Sequence, residues 1–233
     1  MGFIHYGVNT GGLPVDYVRL FADAYGIEIF FETGTAGGDS VRAASSIFKE
    51  CHTIEIVEGR ADGEYPPNVF LYQGNSAELL RDKSAKFKGQ RIFFWLDAHW
   101  SEPYPAPLDA NGRPTVNECP ILEEIEAISD HQEAMIMIDD ARLFYGPPPS
   151  PCDPRSWPSI MQIFLNLHKH FPTHIISIVD DYIICYPDTA KQPYKDVFNA
   201  EWLKRFDQRY PSDTEELKQS VRLAYSELKK FIE

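Results

Sequence analysis

The chain has 233 residues, of which 43% are hydrophobic, and its formal net charge is −13. This length can bury a sizeable core in one domain, and the acidic balance argues against nucleic acid or an anionic membrane surface as main partner, since both bind clustered cations. Four scattered cysteines without a C-x-x-C motif, no signal peptide and no apolar run of about 18 residues predict a cytoplasmic protein.

The first half of the sequence alternates between strand and helix patterns. Residues 1–26 predict an irregular arm and a helix that ends at Gly26. A buried strand at 27–31 then leads through a glycine turn into a helix at 40–50. The predicted elements that follow are strands at 53–57, 68–72 and 91–97, with a helix at 77–87.

The second half contains two proline-rich loops, at 101–117 and 146–158, which predict functional loops rather than regular structure. Residues 174–186 read as two strands around the turn Asp180-Asp181, a pattern typical of a β-hairpin. The remaining predicted elements are helices at 119–128 and 159–171, a strand at 135–138, a linker at 187–198 and a helix with a capping box at 212–232.

This order predicts an α/β fold in which a doubly wound, mostly parallel sheet carries helices on both faces. The closing hairpin adds an antiparallel strand. We interpret the chain as a single domain, 1–233. Its parts are an N-terminal arm and helix (1–26), a core sheet (27–186) and a C-terminal helical extension (187–233).

The glycine turn follows the first predicted strand, with the sequence Glu-Thr-Gly-Thr-Ala-Gly-Gly-Asp-Ser at 32–40. It fails the dinucleotide pattern G-x-G-x-x-G, because Ala36 and Asp39 stand where glycines are required. Its glycines still allow a ligand to approach the backbone. Glu32 and Asp39 disfavour a pyrophosphate at this helix start and suit a positively charged ligand. The alternative is a purely structural turn.

Glu55 lies 21 residues after Gly34, at the end of the second predicted strand. An acid at about this distance is placed to bind ribose hydroxyls, although it could also be an ordinary surface acid. The ligand would then have a ribose, a positive charge and no pyrophosphate. S-adenosylmethionine, which carries a ribose, a sulfonium and an ammonium group, fits this description.

These segments resemble class I S-adenosylmethionine-dependent methyltransferases over about residues 27–186. Residues 32–38 look like the first motif of that family, 53–56 look like the second, and 74–76 resemble its adenine-contacting turn. The resemblance implies a Rossmann-like, seven-stranded sheet with a terminal hairpin. It assigns the cofactor contacts to Glu32, Gly34, Thr35, Gly37, Gly38, Asp39, Ser40, Glu55, Asn75, Ser76 and Asp97.

Acidic residues end the fourth and fifth predicted strands, at Asp97 and at Asp139-Asp140. If these strands are neighbours, the three carboxylates meet at one edge of the sheet and raise one another's pKa. A hard divalent ion such as Mg²⁺, Mn²⁺ or Ca²⁺ would relieve this repulsion. The alternative for Asp139-Asp140 is helix capping.

The same residues resemble metal-dependent O-methyltransferases of the catechol type and macrocin-type sugar enzymes. Residues 96–100 look like the catechol type's Asp-His-Trp-Lys stretch, but Ala98 is inserted and Ser101 replaces the lysine. The resemblance implies methyl transfer to a hydroxyl of a sugar or catechol-like substrate, with His99 or Asp97 accepting the proton. Arg142 is expected to pair with an acid of this group.

Two other functions stay open at the level of sequence. One is a metal-dependent hydrolase that uses Asp97, His99, Asp139 and Asp140, with the glycine turn merely structural. The other is a non-catalytic relative that binds the cofactor. The expected partners are a small-molecule hydroxyl acceptor and, as an option, a second copy of the chain.

Overall fold

The protein is described by a computed structural model that covers residues 12–100, 110, 117–146 and 153–199. The chain divides into two compact units, 1–191 and 192–233. Most of the 101–117 loop and the predicted helix at 212–232 lie outside the described residues. None of the helices in the described part of the chain is long and apolar enough to cross a membrane.

The described residues of the first unit form one seven-stranded sheet with helices between its strands. The strands are β1 Ile29–Thr33, β2 Glu50–Glu55, β3 Val69–Gln73, β4 Ile92–Leu96, β5 Met135–Ile138, β6 His174–Val179 and β7 Tyr182–Pro187. The α-helices are α1 Val15–Tyr25, α2 Asp39–Ala44, α3 Ser76–Ser84, α4 Ile121–Ala127 and α5 Ile160–His170.

The strand order is β3-β2-β1-β4-β5-β7-β6. All neighbouring strands are parallel except β7, which runs antiparallel to both β5 and β6. The predicted fold class, a mostly parallel seven-stranded sheet with a C-terminal antiparallel hairpin, is therefore confirmed. The chain reverses its direction of growth between β1 and β4, and ligands of open α/β sheets bind at such a switch point.

The central strands are buried on both faces. Every residue of β1, β4, β5 and β7 is buried, as expected for strands covered by helices on each side. On one face, Phe31 and Phe94 belong to a cluster that includes inward residues of α3, α4 and α5. On the other face, the ring of Phe30 stacks on Phe48 and Phe93, with centroids 5.2 and 6.1 Å away. This packing holds the strand ends in a fixed arrangement.

Element boundaries differ from the sequence expectation around the glycine turn. Helix α2 ends at Ala44, six residues before the predicted end at 50, and β2 begins at Glu50 rather than 53. The backbone amides of Lys49 and Glu50 both donate to the Glu28 carbonyl, 2.9 and 3.3 Å away, which draws these residues into the sheet. Tertiary pairing thus overrides the local helical pattern.

Candidate active site

The candidate site lies at the carboxyl edge of β1, β4 and β5. Strand β1 is paired with β2 on one side and β4 on the other, with Thr33 opposite both Ile54 and Leu96. The glycine turn after β1 therefore lies between the ends of β2 and β4. The predicted cofactor-binding residues of the glycine turn and the predicted metal-binding acids after β4 and β5 therefore meet at one edge of the sheet.

Gly34 brings these two groups into contact. Its φ is +79°, and a Cβ at this position would lie 2.3 Å from the Asp97 carbonyl oxygen. On the opposite side, the amides of Gly34 and Thr35 donate to the Ile54 carbonyl, at 2.9 and 3.2 Å. The turn is thus held against both neighbouring strands. The space between Gly34 and the Asp97 carbonyl is too small for a side chain.

At Gly37, one side of the turn is open and the other is held by a hydrogen bond from Arg42. No atom lies within 4 Å of a Cβ built at Gly37, so a ligand has room beside its backbone within the described structure. Arg42 holds the turn in place, because its Nη1 donates to the Gly37 carbonyl at 2.6 Å. The guanidinium also lies over the ring of Tyr65, 4.5 Å from the centroid.

Glu55 is buried and binds the glycine turn directly. Its Oε2 accepts from the Ala36 amide at 2.8 Å, and its Oε1 accepts from the Val57 amide at 2.9 Å. Each carboxylate oxygen can accept a further bond, so these contacts are compatible with the predicted ribose hydroxyls.

Two predicted cofactor residues sit at the edge of this region. Asp39 is fully exposed, with its carboxylate 3.8 Å from Arg42. Ser40 accepts a hydrogen bond from the Leu13 amide at 3.3 Å, which ties the turn to the start of α1. Whether either residue contacts a cofactor stays a prediction.

Glu32 lies beneath the turn and is 1% exposed. Its Oε2 accepts from the Thr53 hydroxyl at 2.5 Å, and the Thr53 and Thr35 hydroxyl oxygens are 2.6 Å apart. Burial raises the pKa of Glu32 well above its usual value, with the charges of Asp97 and Glu55 adding to the effect and the Thr53 bond opposing it. A carboxyl with a raised pKa tends to keep its proton, so the visible role of Glu32 is to bind the Thr53 hydroxyl, which in turn contacts the hydroxyl of Thr35.

The turn after β3 is organised as a helix start. Asn75 is the N-cap of α3, and its side-chain oxygen accepts from the Glu78 amide at 3.1 Å. Ser76 is buried at the first position of the helix. The adenine contact predicted for these two residues stays a prediction, since the helix cap accounts for Asn75 by itself.

The predicted acids and His99 form a compact group, the acid cluster, defined as Asp97, His99, Asp139 and Asp140. His99 Nε2 lies 3.0 Å from Asp140 Oδ2, and His99 Nδ1 lies 3.6 Å from Asp97 Oδ1. Asp139 Oδ1 accepts from the Asp140 amide at 2.8 Å. Asp97 keeps 26% of its side chain exposed, so the cluster can be reached by a ligand.

The carboxyl groups of the acid cluster differ in the direction of their pKa shifts. Burial raises the pKa of Asp97 to about 6 and that of Asp139 to about 8, with nearby acidic charges adding to both. Burial also tends to raise the pKa of Asp140, but His99 and Arg142 bring it below its usual value. Burial would lower the pKa of His99, yet the bond to Asp140 and the surrounding carboxylates raise it overall.

Arg142 links the cluster to the β6–β7 hairpin. Its Nη1 lies 2.6 Å from Asp140 Oδ1 and also pairs with Asp181 in the hairpin turn. The Asp181 side chain in turn accepts from the Arg142 amide at 2.9 Å. The expected pairing of Arg142 with an acid of the cluster is therefore present, and the hairpin fixes it. The rings of Phe144 and Trp157 meet His99 edge-on, at centroid distances of 6.4 and 5.4 Å.

The raised pKa of Asp139 predicts how stability depends on pH in the metal-free protein. Between about pH 4 and pH 8 the folded protein keeps a proton here that the unfolded chain releases, so stability falls as pH rises through this window. Asp139→Asn, which cannot ionise, is expected to be more stable than the parent above pH 8, by on the order of 3 kcal/mol. Urea unfolding with a chelator, at about pH 5 and pH 9, measures the difference.

The control for this prediction is Asp130→Asn, which alters an exposed aspartate paired with Lys88 at 2.8 Å. It is expected to leave the difference between the two pH values unchanged. Equal stability of Asp139→Asn and the parent protein at high pH would contradict the burial argument.

The donor chemistry of the cluster fits a hard divalent ion, because Asp97 and Asp139 offer carboxyl oxygens, the ligands that such ions prefer. The geometry of the acid cluster fits a metal ion less well than its donor atoms do. Asp140 is already engaged by His99 and Arg142. Within the described ranges, no group of three or more His, Cys, Asp or Glu side chains is arranged to hold a metal ion.

Sequence reasoning missed Glu124, a buried acid near the cluster. A signal was present: helix α4 turns Ile121, Ile125 and Ile128 inward, and position 124 falls on the same face at helical spacing. Sequence reasoning also missed Thr53 and Asp181. They act through tertiary hydrogen bonds that no spacing rule reports.

Comparison with known proteins identifies the fold. No protein-family model matches the chain, and no curated protein matches it. Among solved structures, human methyltransferase-like protein 13 in complex with S-adenosylhomocysteine is 9% identical over 80% of this chain and 87% of its own, with a TM-score of 0.50. At the level of the fold, this confirms the predicted resemblance to class I S-adenosylmethionine-dependent methyltransferases.

Two further structures match at lower TM-scores. The O-methyltransferase from Bacillus cereus in complex with S-adenosylhomocysteine is 15% identical, covers 75% of this chain and 80% of its own, and has a TM-score of 0.49. The methyltransferase MycE from the mycinamycin biosynthetic pathway, in complex with Mg, S-adenosylhomocysteine and mycinamycin VI, is 14% identical. It covers 73% of this chain and 44% of its own, with a TM-score of 0.40.

Proposed function

We propose that the protein is an S-adenosylmethionine-dependent O-methyltransferase that acts on a hydroxyl of a small polyhydroxylated substrate, a sugar or a catechol-like ring. The observation that carries the proposal is the direct contact of the glycine turn with the acid cluster, through Gly34 and Asp97. A donor held at the turn and an acceptor held at the cluster would then be neighbours. The methyltransferase fold agrees with this assignment.

The charge of the site supports a cationic donor. Glu32 and Glu55 are buried beside the turn, and Asp97 lies across it. The carboxylates of Glu55 and Asp97 suit a sulfonium and an ammonium group, while they would repel a pyrophosphate. The open side at Gly37 provides the approach, and Glu55 retains acceptor capacity for ribose hydroxyls.

When bound, the cofactor supplies a methyl group on a positively charged sulfur. His99 would accept the proton from the acceptor hydroxyl, because its imidazole is held at Nε2 by Asp140 and keeps Nδ1 on the side of Asp97. The proton of the acceptor hydroxyl would pass to His99, and the bound cofactor would supply the methyl group that replaces it on the oxygen. The main contribution of the protein is the positioning of the two reactants.

Divalent-metal assistance is part of the proposal. Asp97 and Asp139 would hold the ion, and Asp140 could join them by releasing one of its present partners. Such an ion lowers the pKa of a bound hydroxyl and orients it. The raised pKa values of Asp97 and Asp139, which arise mainly from burial, support this role, since a bound cation would favour their ionised forms.

Isothermal titration calorimetry tests the function directly. We expect micromolar binding of S-adenosylmethionine, and binding of ATP at least about tenfold weaker, because ATP shares the adenosine but carries phosphates. The titration is repeated with a chelator and with Mg²⁺, and a panel of sugar and catechol acceptors is then screened for S-adenosylhomocysteine release. Absence of binding at millimolar cofactor would refute the proposal, and cofactor-independent phosphatase or esterase activity would favour the hydrolase.

A further inference from the structure

Glu118 is a buried carboxyl outside the acid cluster and the glycine turn. It is 3% exposed and lies between the first proline-rich loop and α4. The chain around it is fixed, because the Cys119 amide donates to the Asn117 side-chain oxygen at 3.1 Å and the Asn117 side-chain nitrogen donates to Glu123 of α4, also at 3.1 Å. Burying a carboxyl group is unfavourable unless hydrogen bonds compensate, so the partners of Glu118 indicate its role.

Two backbone amides from separate parts of the chain donate to Glu118. Its carbonyl oxygen accepts from the Trp100 amide at 2.9 Å, and Trp100 directly follows His99 in the sequence. Its side-chain Oε2 accepts from the Asp153 amide at 2.6 Å. Glu118 therefore joins the segment that follows β4 to the segment that precedes α5.

The segment that begins at Asp153 is a tightly hydrogen-bonded turn. The Asp153 carbonyl accepts from the Ser156 amide at 3.0 Å, and the Asp153 side chain accepts from the Arg155 amide at 3.0 Å. The Arg155 guanidinium also donates to the Asp153 carboxylate, at 2.6–3.1 Å. These bonds fix the backbone that leads to Trp157, which is buried.

Trp157 packs against His99. The two ring centroids are 5.4 Å apart with an interplanar angle of 66°, and the ring of Phe144 lies 5.9 Å from Trp157 and 6.4 Å from His99. The other contacts of the imidazole are with the carboxylates of the acid cluster, and only 5% of the His99 side chain is exposed. A displacement of Trp157, or of the backbone at Trp100, would therefore change the direction in which the His99 nitrogens point.

We propose that Glu118 is a positioning residue for His99. By accepting hydrogen bonds from the amides of Trp100 and Asp153, it holds the backbone next to His99 and the turn that carries Trp157 at a fixed separation. The role of the side chain is to supply an acceptor oxygen and does not require a charge. The consequence for catalysis rests on the proposed function, whereas the effect on the His99 ring is independent of any cofactor.

NMR signals of the carbon-bound protons of the His99 ring test the positioning without a ligand. Trp157→Leu removes the ring current of the indole and so defines the shift that follows when this contact is lost. Glu118→Ala is expected to move the His99 signals in the same direction and to speed exchange of the Asp153 amide at least about tenfold relative to the amide of Ile136 on β5. Glu118→Gln keeps a carbonyl acceptor and is expected to leave both observables close to those of the parent protein.

A second pair of variants removes the donor instead of the acceptor and carries the test if Glu118→Ala does not fold. Asp153→Pro lacks the donated N–H, and the φ of −83° at this position lies close to the range of proline. Asp153→Ala keeps the N–H but loses the same side-chain carboxylate. Asp153→Pro should therefore move the His99 signals further than Asp153→Ala does.

Steady-state kinetics give the catalytic readout. Glu118→Ala should lower kcat for methyl transfer at least about tenfold, while KM for S-adenosylmethionine stays within about threefold of the parent value, because a misdirected proton acceptor affects the chemical step. Glu118→Gln should keep kcat within about threefold of that of the parent. Glu126→Ala, which alters an exposed glutamate on α4, is the matched control and should behave like the parent.

The outcomes separate the two proposals. His99 signals that stay at the parent positions in both Glu118→Ala and Asp153→Pro overturn the positioning role. A Glu118→Gln variant as perturbed as Glu118→Ala also overturns it, because the charge would then be what matters. Failure of the parent protein to bind S-adenosylmethionine overturns the proposed function alone, since the NMR measurement still decides the positioning.

Discussion

Replacing His99 with alanine is expected to lower the rate of methyl transfer by about two to four orders of magnitude, the usual contribution of a general base. The imidazole is nearly buried, is held at Nε2 by Asp140, and lies beside Asp97 at the edge where an acceptor would bind. The affinity of the variant for S-adenosylmethionine should stay within about threefold of that of the parent protein. The reason is that His99 contacts the acid cluster, Phe144 and Trp157 rather than the glycine turn. Single-turnover release of S-adenosylhomocysteine measures the rate.

The matched control for this variant is His131→Asn. His131 is also a buried histidine, bonded to the Ser84 hydroxyl at 2.9 Å, but it precedes β5 and so lies at the opposite edge of the sheet. The His131→Asn variant should retain methyl transfer once any loss of stability is taken into account. If His99→Ala keeps more than about a tenth of the parent rate, the proton is accepted by another group, with Asp97 the next candidate.

Asp140→Asn separates orientation from proton acceptance. The amide keeps the side chain's shape but no longer offers a charged acceptor to His99 Nε2. If His99 and Asp140 act as one unit, the double variant should be no slower than His99→Ala alone. Independent effects would place Asp140 in another role, such as holding the metal.

The proximity of the residues in the candidate site could be predicted from the sequence because it depends on strand ends. Continuous apolar runs mark the buried strands, and the carboxyl ends of neighbouring parallel strands share one edge. From the sequence alone, Gly34, Asp97 and Asp139 could therefore be predicted to lie close together. The closing hairpin was equally readable, since its two apolar runs flank Asp180-Asp181.

The pairing within the site could not be predicted, because it depends on side-chain geometry. His99 approaches Asp140 more closely than it approaches Asp97, its neighbour in sequence. The oxygens of Glu55 accept backbone amides of the turn, a contact that the 21-residue spacing does not imply.

Gly34→Ala is expected to destabilise the fold by about 2–5 kcal/mol, because a left-handed backbone strains alanine by about 1–2 kcal/mol and overpacking adds about 1–3. The φ of +79° supplies the strain. The overpacking arises because the new Cβ would lie 2.3 Å from the Asp97 carbonyl oxygen, and backbone atoms cannot rotate aside as a flexible side chain can. Chemical unfolding of the variant and the parent protein measures the loss.

Two other glycines separate these contributions. Gly89 has a φ of +82° with no atom within 4 Å of a built Cβ, so Gly89→Ala should show the strain alone, about 1–2 kcal/mol. Gly37 has neither a left-handed φ nor a close neighbour, so the stability of Gly37→Ala should stay within about 0.5 kcal/mol of that of the parent.

Because Gly37 faces the open side of the turn, the folded Gly37→Ala variant should nevertheless bind S-adenosylmethionine at least about tenfold more weakly than the parent. A Gly34→Ala protein as stable as Gly37→Ala would contradict the contact between the turn and Asp97, while unchanged binding by Gly37→Ala would move the cofactor away from the turn.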